Sequence, residues 1–285
     1  MIYGDLPTPL RAQFVHIIRD GLETSYGPDA FSYAAYKFLH ESLVREYGGF
    51  TLSVSAVGAR HPHPVALFDV LLHDSDTERV LDVVQLCMQY IETMKPDPQY
   101  EVADRKATPQ SLKQELNERF KRAGVGYQYE SGRIVRLDSH LLHQEAVKPA
   151  IHLLSKHGYE GANDEFLRAH EHYRHGRYKE ALNEALKAFE STMKIICAQR
   201  RWSHDPNASA SRLLEVCFVH GLIPQPLQAH FTAVRATLET GIPTIRNKTS
   251  AHGQGAIPVE VPAYLVSYAL NITASAIRLL CEAAG

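Results

Sequence analysis

Apolar residues recur three and four apart along most of this chain, separated by short polar breaks, so the pattern predicts helices nearly from end to end. Phe14 to Leu22 and Phe31 to Glu46 read as short helices, punctuated by Asp20-Gly21 and Gly48-Gly49. Val65 to Leu72 and Glu78 to Met94 follow, the second with Leu81, Val84, Cys87 or Met88, and Ile91 at spacings of three and four. Residues 50–57 alternate instead, and read either as a strand or as the lead into a loop at His61-Pro62-His63-Pro64. Lys95 to Thr108 is a polar loop with prolines. Thr108-Pro109 then opens a helix with a capping hydroxyl and a first-turn proline, running to about Ala123. Val125 to Glu130 and Arg133 to Asp138 flank Ser131-Gly132, which reads as a two-residue hairpin turn. A helix from Leu141 to His157 closes this half.

Gly158-Tyr159-Glu160-Gly161-Ala162 marks a boundary, predicting domains 1–158 and 159–285. Beyond it the pattern is helical throughout. Asn163 is the expected N-cap of a helix ending near Gly176, with Asp164 and Glu165 in its first turn. Tyr178 to Arg201 is the longest helix, striped by Leu182, Ala185, Phe189, Met193 and Ile196. Residues 209–220 form the next, and Leu227, Phe231, Val234 and Leu238 mark one stopped by Gly241. Val261 to Cys281 is the last, striped by Leu265, Tyr268, Ile272 and Leu279. Short connections between long amphipathic helices predict an antiparallel bundle. The expected fold is therefore mainly α: a C-terminal helical bundle behind a mostly helical N-terminal domain with one β-hairpin.

Composition adds limits. The 285 residues, 45% hydrophobic and 22% charged, leave room for two cores. A net charge of −2 means that nucleic-acid binding must come from a local patch or from some of the 16 histidines. Cys87, Cys197, Cys217 and Cys281 form no CxxC pair and each sits in an apolar stretch, as expected for buried free thiols in a reducing compartment. The N-terminus lacks the features of a signal peptide, and no uninterrupted apolar run reaches about 18 residues. The expectation is a cytoplasmic protein with no membrane partner.

The chemistry concentrates in Arg246-Asn247-Lys248-Thr249-Ser250-Ala251-His252, followed by Gly253-Gln254-Gly255. A guanidinium grips phosphate with paired N–H bonds, and an imidazole gives or takes a proton near neutrality. Together they suffice for RNA cleavage without a metal: a base, a cation on the phosphate, and an acid for the leaving oxygen. The separation, 252 − 246 = 6 positions, puts the two side chains on different faces of an unbroken helix. Either the helix ends between them or they converge across an interface. The same pair also reads as a salt-bridging Arg and a His capping the last carbonyls of a helix.

His170, His172 and His175 invite comparison with zinc ligands, but no Cys or carboxylate at a fixed spacing completes a site, so no metal and no cofactor is expected. With Arg168, Arg174, Arg177 and Lys179 around them, these residues form the most cationic stretch; Arg174, His175 and Arg177, with Lys248, are candidate RNA-backbone contacts. Glu190 and Lys194, four apart, read either as a surface pair or as supports, with Glu190 orienting Arg246 or His252. Trp202 reads as a plug at the bundle end. Residues 173–188 echo one tetratricopeptide repeat, with no second copy in register. No Walker loop or dinucleotide fingerprint is present.

Residues from about 160 onward resemble the HEPN domains at the C-terminus of AbiJ-like abortive-infection proteins. The resemblance rests on His172 to Glu180, on Lys187 to Lys194, and on Ile245-Arg246-Asn247-Lys248 through His252-Gly253-Gln254-Gly255. The hallmark is an Arg, a polar residue after it and a His a short way beyond, matched by Arg246, Asn247 and His252. Gly124 to Gly132 and Val147-Lys148-Pro149-Ala150 resemble an N-terminal domain that accompanies such proteins. The resemblance implies a helical endoribonuclease acting in phage defence or stress as a toxin, independent of metal, with RNA as substrate. It implies a homodimer, so that two motifs share one cleft. His252 would be base or acid, Arg246 would hold the phosphate and Asn247 would position one or the other. A regulatory partner or antitoxin fits this picture. Some members of the group bind nucleotides or scaffold partners without cutting, which is the alternative.

Overall fold

A computed structural model of the chain describes residues 2–23, 31–52, 63–93, 107–239 and 261–285. Packing divides it into two compact units, Met1–Ile134 and Val135–Gly285.

The first unit holds α1 (Thr8–Glu23), α2 (Phe31–Glu46), α3 (His63–His73), α4 (Thr77–Thr93) and α5 (Pro109–Arg122). The period-3.6 reading places all five. Helix α1 starts 14 − 8 = 6 residues before Phe14, at a Thr8-Pro9 pair like the one that opens α5. At α5, Thr108 accepts from the Ser111 N–H while the Ser111 hydroxyl takes the Thr108 N–H, a reciprocal cap. Phe14 and Phe120 meet edge to face at 5.6 Å in a core shared by Leu10, Ile18, Leu39, Val84 and Leu116. Phe50 to Leu52 are not a strand; the rest of the alternating 50–57 stretch, with His61, lies outside the described residues.

The hairpin pairs β1 (Tyr127–Glu130) with β2 (Arg133–Arg136). Ser131 and Gly132 both have positive φ, 47° and 81°, as a tight primed turn requires. Amide side chains hold its edges: Asn117 receives the Tyr129 N–H at 2.7 Å and Gln85 that of Ile134 at 2.7 Å.

Arg11 is the unit's buried cation, 6% exposed. Its Nε donates to Leu6 O at 3.0 Å and its Nη1 to Leu71 O and Asp74 O at 3.3 and 2.8 Å. The carbonyls at the end of α3 lack partners within their own helix, and this guanidinium supplies Leu71 in its last turn and Asp74 just beyond it.

The second unit opens with a short helix, α6 (His140–Leu142), a π-helical turn (His143–Val147) and α7 (Lys148–Leu154). An uninterrupted helix from Leu141 was expected. Pro149 explains the difference: it has no N–H, so an α-helix through it would leave the Glu145 carbonyl orphaned. Arg278 Nη1 takes that carbonyl at 2.8 Å. The division at Ile134/Val135 precedes the predicted 158/159 because Val147, Ala150, Ile151 and Leu154 bury into the core of the helices that follow.

Those helices are α8 (Glu160–Arg174), α9 (Tyr178–Gln199), α10 (Ala210–Val219), α11 (Gln225–Glu239) and α12 (Ala263–Ala284). Asn163 is not the cap of α8. Glu160 turns its carboxylate back onto the Gly158 N–H at 3.0 Å, so the helix begins before Asn163. Helix α12 is long and apolar enough to cross a membrane by length and composition, and half of its most apolar window is buried within the protein. Its buried face is Val266, Leu270, Ile277 and Leu280, not the expected stripe of Leu265, Tyr268, Ile272 and Leu279: Tyr268 is 58% exposed, because the core-facing side of α12 is turned by about one residue. All four cysteines are free thiols.

Replacing Arg11 by Ala leaves three carbonyls without their donor. The expected cost is about 2–3 kcal/mol in urea unfolding, with Arg11→Lys recovering little because an ammonium cannot reach in a fork. Equal stability of Arg11→Ala and wild type would show that these bonds contribute nothing.

Candidate functional site

Arg246, Asn247, Lys248 and His252 lie in 240–260, outside the described residues. Both flanks of that segment are anchored in one core. Phe231, Val234 and Leu238 of α11 are buried before it, and Val261 is buried after it, where Pro262 caps α12.

Glu190 has a clear task. Its Oε1 accepts the backbone N–H of Ala210, the first residue of α10, at 2.8 Å. Ser209, at the N-cap, makes no capping bond with its own hydroxyl, so a carboxylate from α9 closes α10 instead. This contact spans twenty positions and neither of the two readings of Glu190 included it. Lys194 is half-buried one turn further along α9.

The cationic stretch at the end of α8 is less open than its sequence implies. Arg174 is 3% exposed, which takes it away from any open backbone-binding face. Arg177 is exposed and His175 half-buried. The His175 Nδ1 lies 2.9 Å from the Glu171 carbonyl. Arg168 is drawn into ion pairs with Asp164 at 3.2 Å and Glu184 at 3.1 Å, and Lys187 reaches Glu184 at 2.6 Å. Burial alone would raise the Glu184 carboxyl, but Lys187 and Arg168 outweigh it and hold it below the ordinary value.

A second polar cluster, missed in the sequence, gathers within this unit. The Tyr173 hydroxyl donates to Asp138 Oδ2 at 2.6 Å, with the Arg136 guanidinium 5.3 Å from the ring centre. Burial, and then the bond to Asp138, push the Tyr173 phenol well above its usual range. His170 is 4% exposed and meets Phe166 edge to face at 4.9 Å. Among the described residues, neither of its ring nitrogens has a hydrogen-bond partner. Burial, with His143 nearby, pushes it down to about 3. Arg136, Asp138, His143, His170, Tyr173 and Asn271 line a cavity of about 20 Å³, the size of one water molecule. Tyr173 and Asp138 are 35 positions apart, and no local spacing announces their meeting. Among the described residues no three His, Cys, Asp or Glu side chains converge as a metal site.

The five helices from α8 to α12 form a bundle, and residues 160–284 match the family model of the HEPN-like domain. The preceding helical unit with its hairpin carries the second match: residues 1–151 fit AbiJ N-terminal domain 4. The chain belongs to the AbiJ-like family, with a C-terminal HEPN-like domain. The two domains support a role in abortive infection, the defence of a cell against phage. No curated protein and no solved structure matches the chain.

Two outcomes follow from the geometry. His170 holds a depressed folded value, so the unfolded chain binds more protons once pH falls below the ordinary value near 6.5. Stability then drops as pH falls from about 6.5 toward 3. The expected loss is about 2 kcal/mol between pH 7 and 5, read from urea unfolding of the full chain, and His170→Leu flattens that slope. An unchanged slope in the variant would place the acid sensitivity elsewhere. Glu190→Ala removes the cap of α10 and costs about 1 kcal/mol, whereas Glu190→Gln, which keeps an acceptor oxygen, costs less. Equal losses in both would refute the capping role.

Proposed function

We propose that the chain is a metal-independent endoribonuclease of abortive infection, acting in the cytoplasm as a homodimer. The observation that carries this reading is the Arg246-Asn247 and His252 motif, which falls inside the span matched to the HEPN-like domain. An Arg and a His six positions apart do not share one face of a helix, so a single motif is a poor clamp on a single phosphate. Two motifs facing each other across a symmetric interface supply a base, an acid and two cations to one phosphodiester.

In this reading one His252 takes the proton of a ribose 2′-OH. The freed oxygen attacks the adjacent phosphorus, the bond to the 5′-oxygen breaks, and the partner copy's imidazole protonates the leaving oxygen. Arg246 steadies the charge that builds on the phosphate in the crowded transition state, and Asn247 holds one of the two in place. Lys248 and Arg177 contribute to holding the RNA backbone; buried Arg174 does not.

The test is cleavage of total RNA and tRNA in EDTA by wild type, Arg246→Ala and His252→Ala. Activity in the wild type and loss of about a hundredfold or more in His252→Ala are expected. RNA with the attacking 2′-OH replaced by hydrogen should bind and remain whole. Cleavage of that substrate at the same bond would exclude 2′-OH attack. A dimeric wild type that cuts no RNA would favour a module that binds nucleotides or partners.

A further inference from the structure

The end of α9 and the two ends of α10 build a feature from residues outside the motif. Trp202, the chain's one tryptophan, stacks flat on His220, with ring centres 4.4 Å apart and planes within 4° of parallel. The indole packs against the bundle core on its buried side. His220 is exposed and lines a groove of about 650 Å³, with Ser203, His204, Asp205, Asn207 and Arg212. Trp202 is not among the residues that line the groove, so its stack reaches the groove through His220. The volume falls within the range of small-ligand sites.

The backbone leading into this stack is strained. Helix α9 ends with Arg201 N–H on Ala198 O at 3.1 Å and Trp202 N–H on Cys197 O at 2.8 Å. This closure needs a left-handed residue at Arg201, whose φ is +56°. Helices α8 and α10 close in the same way with Gly176 and Gly221 at that position. Of these three ends, α9 alone puts a side chain at the left-handed position, the exposed Arg201, next in sequence to Trp202. Glycine there would relieve the strain, which draws attention to the Arg201 side chain.

We propose that this groove is a base-binding subsite for single-stranded RNA, in which one nucleobase extends the Trp202–His220 stack. The proposal rests on the ribonuclease reading above for its substrate. Arg201 and Arg212 then face the flanking phosphates, although Arg212 shares its charge with Glu215 at 3.0 Å. Hydrogen-bonding side chains at His204, Asp205 and Asn207 surround the base edge. A stacking platform beside cations holds single strands with little sequence preference. The subsite thus lets the domain grip RNA through residues other than those of the 240–260 segment.

The single indole reports on the site directly. A fluorescein-labelled oligoadenylate RNA is titrated into the full chain carrying His252→Ala, with label anisotropy and tryptophan emission followed together. Saturable quenching of Trp202 in step with binding is expected. His220→Ala in that background weakens binding about tenfold or more, while His220→Phe, which keeps a ring, retains it. Arg201→Gly weakens binding yet leaves the melting temperature unchanged or higher, which a purely structural role would not produce. In the cleaving protein, His220→Ala raises KM and leaves kcat in place. RNA binding without any change in Trp202 emission, or undiminished binding by both His220→Ala and Arg201→Gly, overturns the subsite while cleavage by wild type keeps the nuclease reading. Quenching by RNA in a protein that cuts nothing has the opposite meaning: the subsite stands and the nuclease reading falls. Absence of any RNA binding overturns the subsite.

Discussion

The C-terminal unit depends on how closely α8 and α12 can approach α9. Helix α9 buries Ala181, Ala185 and Ala188 along with Phe189, Met193 and Ile196, while α8 contributes Ala162 and Ala169 and α12 contributes Ala269 and Ala274. Small residues let the backbones come near, and the large ones fill the space between layers at close to crystal density. Each large side chain taken out of water is worth roughly 1.5–3 kcal/mol. Thr192 and Thr273 enter this core only because each hydroxyl donates to a carbonyl four residues earlier in its own helix. With α9 fixed, every other helix of the bundle has a surface to meet.

Helix ends are where the chain spends its polar groups. Arg11 serves carbonyls near the end of α3, Glu190 the first N–H of α10, and Arg278 the carbonyl that Pro149 abandons. In each case the partner comes from another element of the same unit. These long-range bonds do what local caps do at α5, and they tie an element's ends to its neighbours' positions.

That distinction explains what the sequence made legible. Thr108-Pro109 and Ser131-Gly132 were readable because their chemistry closes within four residues. The stripe of α9 was readable because its period is its burial pattern. Asn163 misled because Glu160, three residues earlier, competes for the same turn and wins with two oxygens on one N–H. Glu190, Arg174 and the Asp138–Tyr173 pair have environments made by chain segments far away, so no spacing rule reaches them. The motif itself is the reverse case: Arg246, Asn247 and His252 were legible as a pattern of residue types, and both flanks of their segment are held in the core of a HEPN-like domain.

The cap on α10 also sets an order of events. A helix of ten residues has little persistence of its own in water. Its leading N–H finds an acceptor only after α9 has wound far enough to present Glu190 and the intervening chain has reversed at Arg201. The Glu190 carboxylate therefore joins the start of α10 to α9, while Leu213, Leu214 and Cys217 seat the rest of that short helix in the same core. The groove beside it thus rests on a wall that cannot shift without breaking that bond and exposing those side chains together.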